Sequence, residues 1–154
     1  MSFSTLLIAT RGEIARRVIR GAREMGIRTV AVYVDADADA PFVKDADQAV
    51  RLPGSYLDGK AVLEAARSTS AEAIHPGYGF LSENAGFAAD VTAAGLAWVG
   101  PSPEVIEQMG DKLAAKALAE KDGVPTLPGL SLIHISEPTR RYAIAYARLG
   151  VKKK

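Results

Sequence analysis

The sequence predicts an α/β fold, a Rossmann-like doubly wound parallel sheet with helices on both faces. Short apolar runs, rich in β-branched residues, alternate along the chain with longer segments of helical periodicity. Strands joined through helices of this kind pair in parallel, with right-handed crossovers. A glycine-punctuated loop, His75–Asn84, directly follows one of the apolar runs. Such loops lie at the carboxyl edge of the sheet, where open α/β folds bind ligands.

The first βαβ unit is predicted over residues 5–34. Thr5–Ala9 is a compact apolar run that predicts a buried strand, and Thr29–Val34 is a β-branched run that predicts the next one. Between them, Thr10 and Glu13 have the spacing of a capping box, which predicts a helix capped by Thr10. Apolar residues then occupy one helical face and arginines the other. Gly26 stands where a left-handed C-cap ends a helix.

The same alternation continues to residue 125. Further strands are predicted at Ala49–Leu52, Ala71–His75 and Leu96–Gly100. Further helices are predicted at Gly59–Arg67, at Asn84–Ala94, from Pro103 to near Gly110 with Ser102 as N-cap, and at Asp111–Lys121 before Gly123 and Pro125.

Composition narrows the class of protein. The 154 residues include no cysteine, which excludes disulfides and thiolate metal sites, and the cytoplasm is the expected compartment. No apolar run approaches the roughly 18 residues of a membrane span, and the N-terminus lacks the features of a signal peptide. The net charge of +1 conceals a basic segment, because residues 130–154 carry +5 and the remainder carries −4. We expect neither a nucleic acid nor a membrane as partner.

The loop His75–Asn84 is the strongest candidate site. Gly77 and Gly79 free its backbone, while Tyr78 and Phe80 add bulk that a simple connection does not need. His75 has no cysteine or second histidine near it in the sequence, so it cannot build a zinc site. We expect it to organise the loop by hydrogen bonding, with a general-base role as the minor alternative.

Two other segments have less specific patterns. Thr10–Arg17 follows the first strand but has one glycine where a dinucleotide fingerprint has three, so a capped helix is favoured over phosphate binding. Asp35, Asp37 and Asp39 alternate with alanine but lack the rest of a calcium loop. A solvated acidic turn is the favoured interpretation.

Four segments together resemble biotin carboxylases. They are Thr10-Arg-Gly-Glu-Ile-Ala15, the loop His75–Asn84, Met109-Gly-Asp-Lys112 and Gly123-Val-Pro125. The resemblance extends from about Leu6 to Gly129. In the family, asparagine usually stands in place of Thr10, and the loop corresponding to Arg51–Leu57 is several residues longer.

The resemblance implies a function and a set of site residues. The family uses ATP and Mg²⁺ to carboxylate biotin with bicarbonate on a biotin carboxyl carrier domain, next to a carboxyltransferase in acyl-CoA carboxylases. By position, Lys112 corresponds to an ATP-contacting lysine, and Tyr78 and Gly79 to the biotin-facing loop. Organisation of that loop is assigned to His75, Gly77, Ser82 and Glu83. The homodimer contact is assigned to Arg20 and Glu24.

Each of these roles has a simpler alternative. Lys112 could be a solvated helix-terminal lysine, Tyr78 a packing anchor, and Arg20 and Glu24 ordinary surface charges. The family's catalytic residues and metal ligands correspond to positions beyond Gly129. We therefore expect no catalytic residue, no metal ligand and no tightly bound cofactor in this chain, and no turnover from it alone. A free-standing nucleotide-binding or interaction module remains the alternative.

The implied domains are a pre-ATP-grasp domain at residues 1–109, the first helix of a truncated ATP-grasp domain at 110–129, and a non-native tail at 130–154. Leu130–Arg140 resembles, over eleven contiguous residues, the translation of a transposon-type adapter used in short-read sequencing libraries. Lys152–Lys154 also fall in register with it. The alternative is a genuine strand followed by a basic amphipathic helix.

The origin of the tail is directly testable at the level of DNA. If residues 130–140 derive from an adapter, their codons match the adapter string in the source reads, and the reading frame continues differently in an independently amplified gene. Codons that differ from the adapter at several positions would show the tail to be native.

Overall fold

The computed structural model describes residues 3–110 and 112–126, without the side chains of 112–114. The chain divides into two compact units, residues 1–115 and 116–154. In the described part of the second unit, a helix ends at Lys121 and the Thr126 hydroxyl donates to Glu120 at 2.7 Å. The predicted tail at 130–154 lies outside the described residues.

The described part of the first unit contains a five-stranded sheet in which every pair is parallel. The strands are β1 (Thr5–Ile8), β2 (Arg28–Tyr33), β3 (Gln48–Arg51), β4 (Ala73–His75) and β5 (Ala97–Trp98), in the order β3-β2-β1-β4-β5. The helices are α1 (Gly12–Glu24), α2 (Pro41–Asp45), α3 (Gly59–Ser68), α4 (Ala85–Ala93), α5 (Pro103–Gly110) and α6 (Lys112–Lys121), with 3₁₀ turns at Asp35–Asp37 and Phe80–Glu83.

The sheet is doubly wound, as the sequence predicts. Alternate residues of β1 point to opposite faces, so Leu6 and Ile8 pack with α1 and α2 while Leu7 packs with α3 and α4. Among the fully buried helix side chains, the largest are Ile19 and Phe42 on one face and Val62 and Val91 on the other. Winding proceeds outward from β1 to β3 and then returns to β4 and β5 on the other side. The direction therefore reverses between β1 and β4.

The helix caps in the structure agree with the sequence prediction at one helix and differ from it at another. Ser102 caps α5 as expected, accepting from the amide of Val105 at 3.4 Å. Asn84, predicted as the first residue of α4, is its N-cap and accepts from the amide of Phe87 at 2.9 Å. The capping box at Thr10 is wrong. The chain stays extended after β1, the N-cap of α1 is Arg11, and its side chain makes no capping bond. Thr10 is instead buried, with only 1% of its surface exposed.

Short elements were not predicted. Helix α2 is five residues long, and the 3₁₀ turn at Asp35–Asp37 is three, so neither shows a full helical period in the sequence. Phe42 of α2 is nevertheless fully buried under the sheet. Within the described residues, no helix is long and apolar enough to cross a bilayer.

Candidate ligand crevice at the carboxyl edge of the sheet

The reversal of strand order places two loops side by side at the carboxyl edge of the sheet. β1 and β4 are hydrogen-bonded neighbours, and the amide of Ala9 extends the pairing by donating to the carbonyl of His75 at 2.9 Å. The turn after β1 and the loop His75–Asn84 therefore leave the sheet next to each other. A crevice at such a reversal is the usual ligand site of an open α/β sheet.

The two loops touch at Thr10 and Gly77. Gly77 has a φ of +72°, and a Cβ atom built on it would lie 2.3 Å from Cγ2 and 2.4 Å from Cβ of Thr10. These are distances at which no side chain fits without movement of the backbone. Glycine is therefore required at position 77 both by the left-handed backbone and by the close approach of Thr10.

His75 closes the base of the loop. Its Nδ1 accepts a hydrogen bond from the amide of Gly77 at 2.9 Å, so the neutral ring carries its proton on Nε2. The ring is partly buried, and burial lowers the pKa of His75 because it disfavours the charged imidazolium. Protonation would also place a proton on the nitrogen that accepts from Gly77.

At the tip of the loop, the ring of Tyr78 is exposed and the ring of Phe80 contacts a neighbouring aromatic ring. The side chain of Tyr78 is 75% exposed, whereas the ring of Phe80 lies with its centroid 5.3 Å from that of Tyr56. Phe80 has a φ of +49° and begins a 3₁₀ turn that carries Ser82 and Glu83. Tyr78 therefore stands between two fixed points of the loop, Gly77 and Phe80.

Ser82 and Glu83 line a cavity of about 400 Å³ beside the end of β5 and helix α5. Its apolar wall is formed by α5 and the segment before it, through Pro101, Val105, Ile106 and Met109. The cavity combines a carboxylate and a hydroxyl with an apolar wall, which is the usual composition of a small-molecule site.

A buried carboxylate near the crevice was missed by the sequence. Asp37 was expected in a solvated turn, but only 8% of it is exposed, and it bonds to Arg11 and Tyr56. The expectation fails because the 3₁₀ turn directs Asp37 inward, while Asp39 stays exposed. The available signal was the position of Arg11 and Asp37, which both follow neighbouring parallel strands. Within the described residues, no group of three potential metal ligands is present.

The structure places the two predicted dimer residues on α1, outside the candidate loop. Arg20 and Glu24 are exposed on α1, two to three turns from its start at Gly12. Arg20 lines a surface cavity of about 450 Å³ with Arg16, Arg23 and Asp45. Lys112 is the first residue of α6, and its side chain lies outside the described residues.

The fold and the crevice define a doubly wound α/β domain with a candidate ligand site where its strand order reverses. The family model for the biotin carboxylase N-terminal domain matches residues 2–106. The chain belongs to this family.

Curated relatives and solved structures agree with the match. The chain is 51% identical over 140 residues to a putative urea carboxylase of Emericella nidulans, covering 88% of this chain and 11% of that protein. It is 52% identical over 129 residues to the biotin-dependent acyl-coenzyme A carboxylase alpha3 subunit of Mycobacterium leprae, covering 80% and 22%. The crystal structure of a biotin carboxylase–ATP analogue complex from Campylobacter jejuni superimposes with a TM-score of 0.80 at 41% identity, covering 84% and 30%. The chain thus spans less than a third of each of these proteins.

Replacing Gly77 by alanine should destabilise the chain more than its backbone conformation alone explains. Gly26 is a matched control, because it also has a φ of +72° but nothing lies within 4 Å of a Cβ built there. In urea unfolding, Gly26→Ala should cost about 1 kcal/mol. Gly77→Ala should cost a further 1–3 kcal/mol, roughly, from the overlap with Thr10. Equal losses in the two variants would show that Thr10 and Gly77 are not in contact.

The pH dependence of stability should reveal the lowered pKa of the half-buried His75. The unfolded group titrates near 6.5 and the folded group below that, so the unfolded chain binds more protons in acid. The free energy of unfolding should therefore fall as the pH drops below about 6.5, and this contribution should level off below the folded pKa.

His75→Asn provides the control, because an amide oxygen can accept from Gly77 without titrating. Urea unfolding between pH 5 and 7.5 should show a smaller slope for His75→Asn than for the parent chain. NMR titration in a His134→Gln background, which leaves one histidine, should give a pKa below 6.5. A pKa of 6.5 or higher would contradict the buried neutral ring.

Proposed function

We propose that the chain is the N-terminal domain of a biotin carboxylase in a biotin-dependent acyl-CoA carboxylase. The whole enzyme is an ATP-dependent ligase that carboxylates carrier-bound biotin with bicarbonate. The observation that carries the proposal is the loop His75–Asn84, which has the family's motif and lies at the reversal of strand order next to the turn after β1. The domain contributes one wall of the active site rather than its reacting groups.

In this proposal, Tyr78 and Gly79 face the biotin. The exposed phenol ring of Tyr78 offers a flat apolar surface with a polar end, which suits a small bicyclic ligand. Gly79 has a φ of +69°, and nothing lies within 4 Å of a Cβ built there, so its backbone can approach a ligand closely. His75 and Gly77 hold the base of the loop, and Ser82 and Glu83 present polar groups on its far side.

ATP and Mg²⁺ belong to the remainder of the enzyme. Lys112, at the start of α6, is proposed to contact ATP, and α6 to be the first helix of the ATP-grasp domain. A lysine can serve there as a point charge toward phosphate. The Campylobacter structure, a complex with an ATP analogue, supports the assignment of ATP at 41% identity. No cofactor is expected to bind tightly to residues 1–126 alone.

The proposed partners are the biotin carboxyl carrier domain, the carboxyltransferase and a second copy of the enzyme. Arg20 and Glu24 are exposed, and within residues 3–110 neither takes part in an ion pair. Opposite charges four residues apart on one helix can pair with the same residues of a symmetric partner. A cytoplasmic enzyme fits the absence of cysteine.

A chimera tests the function. Residues 1–126 would replace the matching segment of the Campylobacter biotin carboxylase, and ADP release would be measured with ATP, bicarbonate and free biotin. We expect biotin-dependent turnover from the chimera and none from the 154-residue chain. Tyr78→Ala in the chimera should raise the KM for biotin several-fold, while Met25→Ala, an exposed residue of the α1 end, should leave it unchanged.

The two parts of the proposal fail separately. Biotin-dependent ADP release by the 154-residue chain would disprove its inactivity but leave the family function intact. A folded chimera that hydrolyses no ATP in the presence of biotin would disprove the function. Micromolar ATP binding by the chain alone, measured by calorimetry, would favour a free-standing nucleotide-binding module.

A further inference from the structure

A buried carboxylate connects loops that leave four neighbouring strands. Oδ1 of Asp37 accepts from Nη2 of Arg11 at 2.8 Å, and Oδ2 accepts from the hydroxyl of Tyr56 at 2.7 Å. The ring of Tyr56 then packs on Phe80. The contacts run from Arg11 through Asp37 and Tyr56 to Phe80, and these residues follow β1, β2, β3 and β4. Since the sheet order is β3-β2-β1-β4, Tyr56 links the loop after β3 to the candidate loop after β4.

Because Asp37 and Tyr56 are buried, their polar groups depend on each other and on Arg11 for hydrogen bonds. Asp37 and Tyr56 are both nearly inaccessible to water, so each polar group needs its partner. Arg11 supplies the opposite charge that a buried carboxylate requires. Burial and the bond to Asp37 raise the pKa of Tyr56, which therefore stays protonated and keeps donating. Asp35, two residues earlier, pairs with Arg51 on the exposed surface and has none of these constraints.

The backbone of Phe80 requires support from its surroundings. A φ of +49° is unfavourable for a bulky residue, and such conformations persist only where neighbouring contacts hold them. Phe80 is 39% exposed, and its ring packs on that of Tyr56. Tyr56 in turn donates its hydroxyl to Asp37, so the Tyr56 side chain joins Phe80 to the buried carboxylate.

We propose that Asp37 is a positioning residue for the His75–Asn84 loop, acting through Tyr56 on Phe80. The carboxylate fixes the ring of Tyr56, the ring holds Phe80 in its left-handed conformation, and the 3₁₀ turn Phe80–Glu83 forms as a result. Thr10 fixes Gly77 independently at the other end of the tip. The inference goes beyond the proposed function, because it concerns the order of the loop and holds whether or not the loop faces biotin.

Amide hydrogen exchange on the 154-residue chain, followed by NMR, measures this order directly. The amides of Ser82 and Asn84 bond to the carbonyls of Gly79 at 3.0 Å and Leu81 at 3.2 Å, so they report on the 3₁₀ turn. Core amides of β1 and β2 report on global unfolding in the same spectra. The variants are Asp37→Asn, which removes the charge, and Tyr56→Phe, which removes only the hydroxyl. Asp35→Asn is the matched surface control.

We expect Asp37→Asn and Tyr56→Phe each to accelerate exchange at Ser82 and Asn84 about tenfold relative to the core amides, since each loses a hydrogen bond to a buried charge. Asp35→Asn should change this ratio less than twofold. In a Phe80→Leu background, where the ring contact is already lost, Asp37→Asn should add nothing to the loop exchange rate. This non-additivity distinguishes positioning through Tyr56 and Phe80 from a general loss of stability.

Three results would overturn the proposal. Loop exchange could rise only in proportion to core exchange, which would make Asp37 a purely structural residue. The Asp35→Asn control could raise loop exchange as much as Asp37→Asn does. The effects of Asp37→Asn and Phe80→Leu could add fully. If Asp37→Asn does not fold, Tyr56→Phe decides the question alone by the same ratio and the same background.

Discussion

The parallel pairing of β1 with β4 is the constraint on which the candidate site depends. It brings together residues 67 positions apart in sequence, such as Leu6 and Ala73, and the bond from Ala9 to the carbonyl of His75 extends it past the last paired residues. Beyond that bond, Thr10 and Gly77 come so close that only glycine fits. The loop is therefore held at its base by the sheet itself, and its conformation cannot be separated from the register of the strands.

In the structure, Thr10 has a packing role instead of a helix-capping role. As a sequence feature, Thr10 stands where biotin carboxylases usually have asparagine, which raised the question of helix capping. The structure turns the side chain of Thr10 away from α1 and buries it against Gly77, so its methyl group serves packing. The Arg51–Leu57 loop, which the resemblance implies to be shorter than in the family, also contributes to packing. It still places Leu52 and Tyr56 in the core, and Arg51 pairs with Asp35 at the surface.

The domain is shared by carboxylases of different names. Identity is 51% to a putative urea carboxylase and 52% to an acyl-coenzyme A carboxylase subunit, so this part of the chain does not distinguish the two. These nearly equal identities agree with a domain whose sequence is constrained by the packing of the sheet and by the shape of one loop.

The sequence by itself determined the α/β class, the alternation of strands and helices, the position of the loop and the family, because these depend on local periodicity and on a contiguous motif. It also identified Ser102 as a cap, since capping acts within three residues. Tertiary structure alone decided the burial of Thr10, the inward turn of Asp37 and the contact of Phe80 with Tyr56. Each of these joins residues from different strands, and the free energy of burying a polar side chain depends on partners that no local pattern specifies.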